Sequence, residues 1–236
     1  MKRKGKNIKE INSKKLLSRI ASMTVNYIND ITRQLLQKDN ISTGYLSFIK
    51  EISEDKGVNF LNIFTLNHDR VIEKFLKNSN INYYDGFVVS KNKRPAGDCI
   101  RVWQSDFINN GQKIKLLKLH GSIDWFKIKG NCGKSYQGYY FAQVEDNLNL
   151  QDIPLVSHPL ILTGRFNKIL EYNRSIYVDL HYNFYRLLSD TDILLISGYS
   201  FNDKGINSWI INWMYAEERH RIIFIHPGPE KCIKKA

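Results

Sequence analysis

The chain has 236 residues, 42% hydrophobic and 25% charged; a chain of this length buries roughly 70–75% of its unfolded surface and needs no disulfide or metal staple. That composition excludes collagen, coiled-coil rods and wholly disordered chains, and no apolar run approaches the ~18–20 residues of a membrane span. Net charge is +12, and the excess gathers at the start, where Lys2, Arg3, Lys4, Lys6, Lys9, Lys14, Lys15 and Arg19 face only Glu10.

A basic arm of this kind can hold nucleic acid through its phosphates, which makes residues 1–19 a candidate contact. The structural alternative is a solvated, frayed terminus. No apolar stretch follows residues 1–6, so a secretory signal is not expected. The cysteines Cys99, Cys132 and Cys232 are odd in number and form no Cys-x-x-Cys pair. Neither a structural zinc site nor a disulfide framework is written there, and reduced cytoplasmic thiols are expected.

From residue 14 to 37, Leu16, Leu17, Ile20, Tyr27, Ile28, Ile31, Leu35 and Leu36 recur at helical spacing. This predicts a long amphipathic helix that packs through Leu17, Ile20, Ile28, Ile31 and Leu35. A second short helix is expected around Leu46, Phe48 and Ile49. Residues 1–57 thus read as a basic, helical N-terminal segment, and residues 58–236 as the core. The run Phe60-Leu61-Asn62-Ile63-Phe64 predicts a buried strand. After it, Asp69 is placed to cap a helix with Val71, Ile72, Phe75 and Leu76 on one face. The stretch from Tyr83 to Glu145 reads as less regular, apart from a strand at 114–119 that ends in His120-Gly121-Ser122. Further strands are expected at 160–163, 193–197 and 221–225. Helices are expected around Tyr177 to Leu188 and from Asp203 through Ile206, Trp209, Ile210 and Trp213.

Short apolar strands alternating with helices predict an α/β fold with a parallel sheet and helices on both faces. Polar residues crowd the carboxyl ends of these strands, at Thr65, Asn67 and Asp69, at His120, at Gly198 and Ser200, and at His226. Ligands of open α/β sheets bind at that edge. The turn from Thr65 to Asp69 sets short polar side chains at a helix N-terminus, which suits a polar or anionic ligand. The plainer reading is that Asp69 caps the helix and Asn67 satisfies the turn. His120 is placed as a general base at a strand end, or as a hydrogen-bonded structural residue. Gly198 allows close approach of a ribose or phosphate, or belongs to a routine loop capped by Asp203. His68, His158, His181 and His220 read as surface or structural.

Taken in order, Thr-x-Asn-x-Asp at 65–69, Leu-His-Gly-Ser at 119–122 and Gly-Tyr-Ser-Phe-Asn-Asp at 198–203 resemble the sirtuin-like family, in particular its bacterial antiviral-defence members. The resemblance covers residues 58–226. It implies a Rossmann-like fold that binds NAD as substrate and cleaves its nicotinamide–ribose bond. It implies His120 as the catalytic histidine, and Asn67 and Asp69, beside Thr65, as lining the nicotinamide-ribose pocket. Gly198, Tyr199 and Ser200 are implied at the adenosine-side ribose. His226 falls near the position of a family asparagine. Deacetylases of the family carry two Cys-x-x-Cys pairs between the histidine and the later motif. Here that region holds only Cys132, which disfavours zinc and deacetylation and favours NAD hydrolysis, an NAD glycohydrolase.

The family's glycine-rich phosphate loop has no counterpart in residues 1–64, whose glycines are Gly5, Gly44 and Gly57. The resemblance therefore leaves two readings open. One is an NAD-cleaving enzyme with a defence-system partner or a homo-oligomeric form. The other is a truncated or non-catalytic module that contacts a partner protein or nucleic acid. A missing first strand is expected to leave Leu61, Ile63, Leu194 and Ile196 exposed.

Overall fold

A computed structural model of the chain describes residues 46–89, 100–130, 134–136, 138–144, 159–162, 172, 175–226 and 228, together with positions 16, 19, 20, 23, 24, 27, 28 and 31. Cys99, Cys132, Cys232 and residues 1–15 of the basic arm lie outside the described residues. The chain divides into two compact units, Met1–Leu162 and Thr163–Ala236. The fold class is the expected one, mixed α/β with parallel strand pairs.

In the first unit, helix α1 (Ser47–Glu54) precedes strand β1 (Leu61–Thr65), which leads into helix α2 (Val71–Asn78). β1 pairs in parallel with β4 (Ile114–Lys118), in a register that sets Thr65 beside Lys118. Tyr84 bridges the other edge of β4 at Lys115. β4 is thus enclosed on both edges and buried at every position, Lys115 and Lys118 included. Leu46, Ile49, Phe75, Leu76 and Leu116 form the core that joins α1, α2 and β4, with Leu61 and Ile63 packed against it.

The expectation of irregular structure from Tyr83 to Glu145 is corrected. An antiparallel sheet occupies this stretch, in the order β2 (Phe87–Val89), β3 (Ile100–Trp103), β7 (Tyr139–Val144), β5 (Trp125–Lys129), with β6 (Ser135–Tyr136) paired to β7. One face packs Ile100, Val102, Phe126, Ile128, Tyr140, Ala142 and Val144. Aromatic rings gather separately, with Phe87 at 5.1 Å from Trp103 and 4.9 Å from Trp125 between ring centroids. The expected strand at 160–163 is also corrected. Its described residues make a single antiparallel bridge, Gly121 to Ile161. Their backbone bonds run to the loop after β4: Leu160 N–H donates to the Trp125 carbonyl, and Leu162 N–H to that of His120.

The described positions of the N-terminal segment are helical, as expected. Of the residues expected to pack, Ile20 and Ile31 are exposed and Ile28 is half-buried, while Leu17 and Leu35 lie outside the described residues; Leu16, Met23 and Tyr27 are exposed too. Helical spacing establishes that an apolar face exists and says nothing of what it meets.

In the second unit, helix α3 (Ile176–Ser189) precedes β8 (Ile193–Ser197), helix α4 (Lys204–Ala216) and β9 (Arg221–Ile225). β8 and β9 pair in parallel, with Leu195 opposite Ile223. α3 buries Leu180, Phe184, Leu187 and Leu188, and α4 buries Ile206, Ile210 and Trp213. Tyr185 meets Trp209 at 4.9 Å between ring centroids. The apolar residues left in water are not the expected ones. Ile196 is buried and Leu194, Leu61 and Ile63 are half-buried, whereas Ile193, Leu195, Ile223 and Ile225 are 58%, 38%, 48% and 54% exposed. Side chains alternate across a strand, so the packed face took the even residues of both strands' apolar cores and left the odd ones outside.

Candidate functional site

In the first unit the candidate residues gather where β1 and β4 end. Leu119 N–H donates to the Thr65 carbonyl at 2.9 Å, so the two strand ends leave the sheet together. The chain then turns from Thr65 into α2. Thr65 Oγ1 accepts from Asn67 N–H at 3.1 Å, and Asp69 Oδ1 accepts from Val71 N–H at 2.9 Å. Both bonds are local side-chain closures that hold a turn open at its tip. The Asn67 side chain is left exposed at that tip.

Facing this turn, β4 delivers His120, which is buried. Gly121 follows at φ 82°, a left-handed conformation that glycine adopts freely. The ring of His68 lies 6.2 Å from that of His120, tilted by 34°, with Nδ1 at 3.5 Å from the Gly121 carbonyl. His68, expected to be structural or at the surface, therefore stands beside the candidate base. Ile123 N–H donates to the His68 carbonyl at 3.1 Å, which closes the loop after His120 onto the turn.

Joined to the loop after His120 is a largely buried charged network that the sequence did not announce. Ser122 Oγ donates to Asp124 Oδ1 at 2.5 Å. Gln143 Nε2 donates to Asp124 Oδ2 at 2.8 Å, and Arg70 Nε stands 3.2 Å from the same oxygen. Gln143 Oε1 accepts in turn from Arg101, whose guanidinium grips both oxygens of Asp85 at 2.7–2.8 Å. Burial lowers and Asp85 raises the Arg101 pKa, and the net shift is upward. Through this chain of bonds the antiparallel sheet is tied to the loop that carries His120. A second buried pair joins β4 to α2: Lys118 Nζ donates to Glu73 Oε1 at 2.8 Å. Burial raises the Glu73 pKa, against the opposing pull of Lys118.

The second unit holds the other motif residues at the carboxyl end of β8. Gly198 has φ 66°, and a Cβ built there would meet nothing within 4 Å. The position thus demands glycine for its backbone and leaves open space over its Cα. Tyr199 points its hydroxyl into its own turn, at 2.6 Å from Asn207 Oδ1 and 3.1 Å from the Asp203 carbonyl. Ser200 is exposed, and its Oγ accepts from Asn202 Nδ2 at 2.8 Å. Asp203 caps α4 as expected, accepting at Oδ1 from the N–H groups of Gly205 and Ile206, while its Oδ2 takes the Tyr172 hydroxyl at 2.6 Å. Burial and the Asp203 carboxylate hold the phenols of Tyr172 and Tyr199 far above their ordinary range, so both remain donors. His226 stacks on Phe224 and accepts at Nδ1 from Gly228 N–H at 2.9 Å.

Thr65, Asn67, Asp69 and His120 therefore converge in the first unit, and Gly198, Tyr199 and Ser200 share one turn in the second. Among the described residues no group of three or more His, Cys, Asp or Glu side chains is arranged to hold a metal ion, and no helix is long and apolar enough to cross a membrane. None of the curated proteins compared matches the chain. The family model described as the SIR2-like domain matches residues 61–236, a span that opens on β1 and takes in all three motif turns. SIR2-like domains are generally NAD-dependent enzymes, so the match points to an NAD-related function. The strand ends, the three turns and the matched span agree, and the chain belongs to the SIR2-like domain family.

Proposed function

We propose that the chain binds NAD and hydrolyses its nicotinamide–ribose bond, in the cytoplasm and in the service of antiviral defence. One observation carries this reading: His120 is buried at the end of β4, against the turn that bears Asn67, in a chain of the SIR2-like family. In the proposed step, the oxygen of a water bonds to C1′ of the ribose as the bond from C1′ to the nicotinamide nitrogen breaks. The electron pair stays with nicotinamide, which leaves neutral. His120 takes the proton, by way of a ribose hydroxyl, and returns it to solvent. The exposed Asn67 amide orients the water, which converts an encounter into a positioned reaction. Asp69 and Thr65 shape the wall of the nicotinamide-ribose pocket. Gly198, Tyr199 and Ser200 are assigned to the adenosine-side ribose, where the open space over Gly198 favours close approach. Hydrolysis is preferred to deacetylation because the sequence between His120 and Gly198 holds Cys132 as its only cysteine, and no zinc is invoked.

The test is release of nicotinamide from NAD by the purified chain beside His120→Ala. A loss of about 10²–10⁴-fold is expected, the usual weight of a general base, and equal rates for the two proteins overturn the assignment.

A second reading is favoured by the exposed apolar face of β8 and β9. In it the chain is a non-catalytic module that contacts a partner protein, a second copy or nucleic acid. In its nucleic-acid form, deletion of residues 1–19 removes binding and flattens its salt dependence; unchanged binding discards that form.

A further inference from the structure

Lys118 is the most deeply buried cation among the described residues, 1% exposed, and the proposed chemistry gives it no role. Its Nζ meets three acceptors. One is Glu73 Oε1 on α2 at 2.8 Å, one is the His68 carbonyl at 3.5 Å, and the third is the carbonyl of Asp69. The last two belong to the turn that presents Asn67. Lys118 itself stands two residues before His120, beside Thr65 in the strand register. A single ammonium thus ties the backbone of the Asn67 turn to the strand that delivers His120.

Stability alone does not account for such a pair. Burying two charges costs several kcal/mol per ion, and well-packed apolar replacements of a buried pair are often neutral or stabilising. What an apolar pair would not supply is a donor for the Asp69 carbonyl, or the third donor of the His68 carbonyl, which also accepts from Ile123 N–H at 3.1 Å and Ser122 Oγ at 3.3 Å. Those carbonyls lie outside the helical ladder of α2 and the strand pairing of β1 and β4.

We propose that Lys118 is a positioning residue, whose ammonium fixes the distance between the Asn67 amide and the His120 imidazole by holding the Asp69 carbonyl and supporting that of His68 beside Ile123 and Ser122. This rests on the NAD-cleaving reading above. Glu73 Oε1 is the third acceptor of that amine, at 2.8 Å, and anchors it to α2. A displacement of the turn by about 1 Å is enough to cost on the order of a hundredfold in rate when a positioned water must attack.

The experiment compares the full chain with the double variant Lys118→Met/Glu73→Leu, which removes both charges and leaves neither unpaired. Two quantities are read. The first is kcat and KM for nicotinamide release. The second is hydrogen exchange at the amides of Asn67, Val71 and Ile123, whose acceptors all sit on the turn or its flanks. The expected result is a kcat lower by about a hundredfold with KM within about threefold, and exchange at the three amides faster by at least about tenfold, while the β1–β4 ladder exchanges as before. With an active wild-type chain, an unchanged kcat or unchanged exchange each overturns the inference. A wild-type chain that releases no nicotinamide defeats the NAD-cleaving reading instead, and exchange then decides alone: faster exchange at the three amides supports the positioning role, unchanged exchange ends it. Should the double variant fail to fold, Glu73→Gln keeps an acceptor for Lys118; a kcat within about threefold of wild type is expected, and a hundredfold loss places the effect at Glu73 and overturns the assignment to Lys118.

Discussion

The two strand-to-helix turns of this chain answer the same geometric problem by different means. The turn after β1 is held from outside. Its carbonyls and its helix entry are gripped by Lys118, Ile123 and, through Arg70, by Asp124, groups roughly 50 residues away in sequence. The turn after β8 is held from within. Tyr199, Asn202, Asp203 and Asn207 close on one another across a handful of residues, and Tyr172 is the one more distant partner named there. The first arrangement buries charge and depends on the whole unit being folded. The second leaves Gly198 and Ser200 in water, on a backbone that would keep its shape with little help. Chemistry that needs fixed distances suits the first turn, and adaptable binding suits the second.

The comparison can be broken in four places. His120→Ala should lower nicotinamide release by about 10²–10⁴-fold while leaving the folded chain intact by circular dichroism. Asp124→Ala comes next. It removes the acceptor shared by Ser122, Gln143 and Arg70 and leaves buried donors without it, at a cost of about 1–3 kcal/mol in urea unfolding. A cost below about 0.5 kcal/mol would remove Asp124 from the groups that hold the first turn.

Tyr172→Phe probes the second turn's one distant support. It strips a donor from buried Asp203 and should cost about 1–3 kcal/mol at neutral pH. The pH dependence has a definite sign. The folded phenol is held above the unfolded value of about 10, so its contribution is complete below that pH and is lost as pH rises beyond it. The wild-type chain should therefore lose stability more steeply than Tyr172→Phe when alkali is raised past that point; parallel curves would remove Tyr172 from the account. Gly198→Ala is the smallest effect. The new methyl meets nothing, so the cost is backbone strain alone, about 1–2 kcal/mol for a left-handed residue.

Much of this was legible before any coordinates. β1, β4, β8 and β9 stood out because strands paired in parallel and packed against helices concentrate Ile, Leu and Phe into short runs. The helix after Asp203 announced itself by cap and period together, whereas α2 was found by its period, its N-cap being Arg70 with no side-chain cap bond and Asp69 closing the turn before it. The antiparallel sheet did not. Arg101, Gln143 and Lys127 interrupt its apolar alternation, and the first two do so because they carry the buried network rather than face water. Residues 160–163 looked like a strand because they are apolar, yet they spend their backbone bonds on the loop after β4. At the site, Asn67, Asp69 and His120 could be named from motif and strand end. His68 could not, because nothing in its neighbours in sequence places a second ring beside it. Lys118 was hidden for the opposite reason: a lysine inside an apolar run looks like a strand edge, and only the position of Glu73 explains its burial.

The bare face of β8 and β9 has a thermal consequence. Ile193, Leu195, Ile223 and Ile225 present hydrocarbon to water, and any contact that covers them gains chiefly from the water it releases. Such a contact loosens on cooling. A contact made by the basic start of the chain would instead loosen as salt is added and its counterions return. A chilled, low-salt solution and a warm, salty one should thus favour opposite kinds of company for the same molecule.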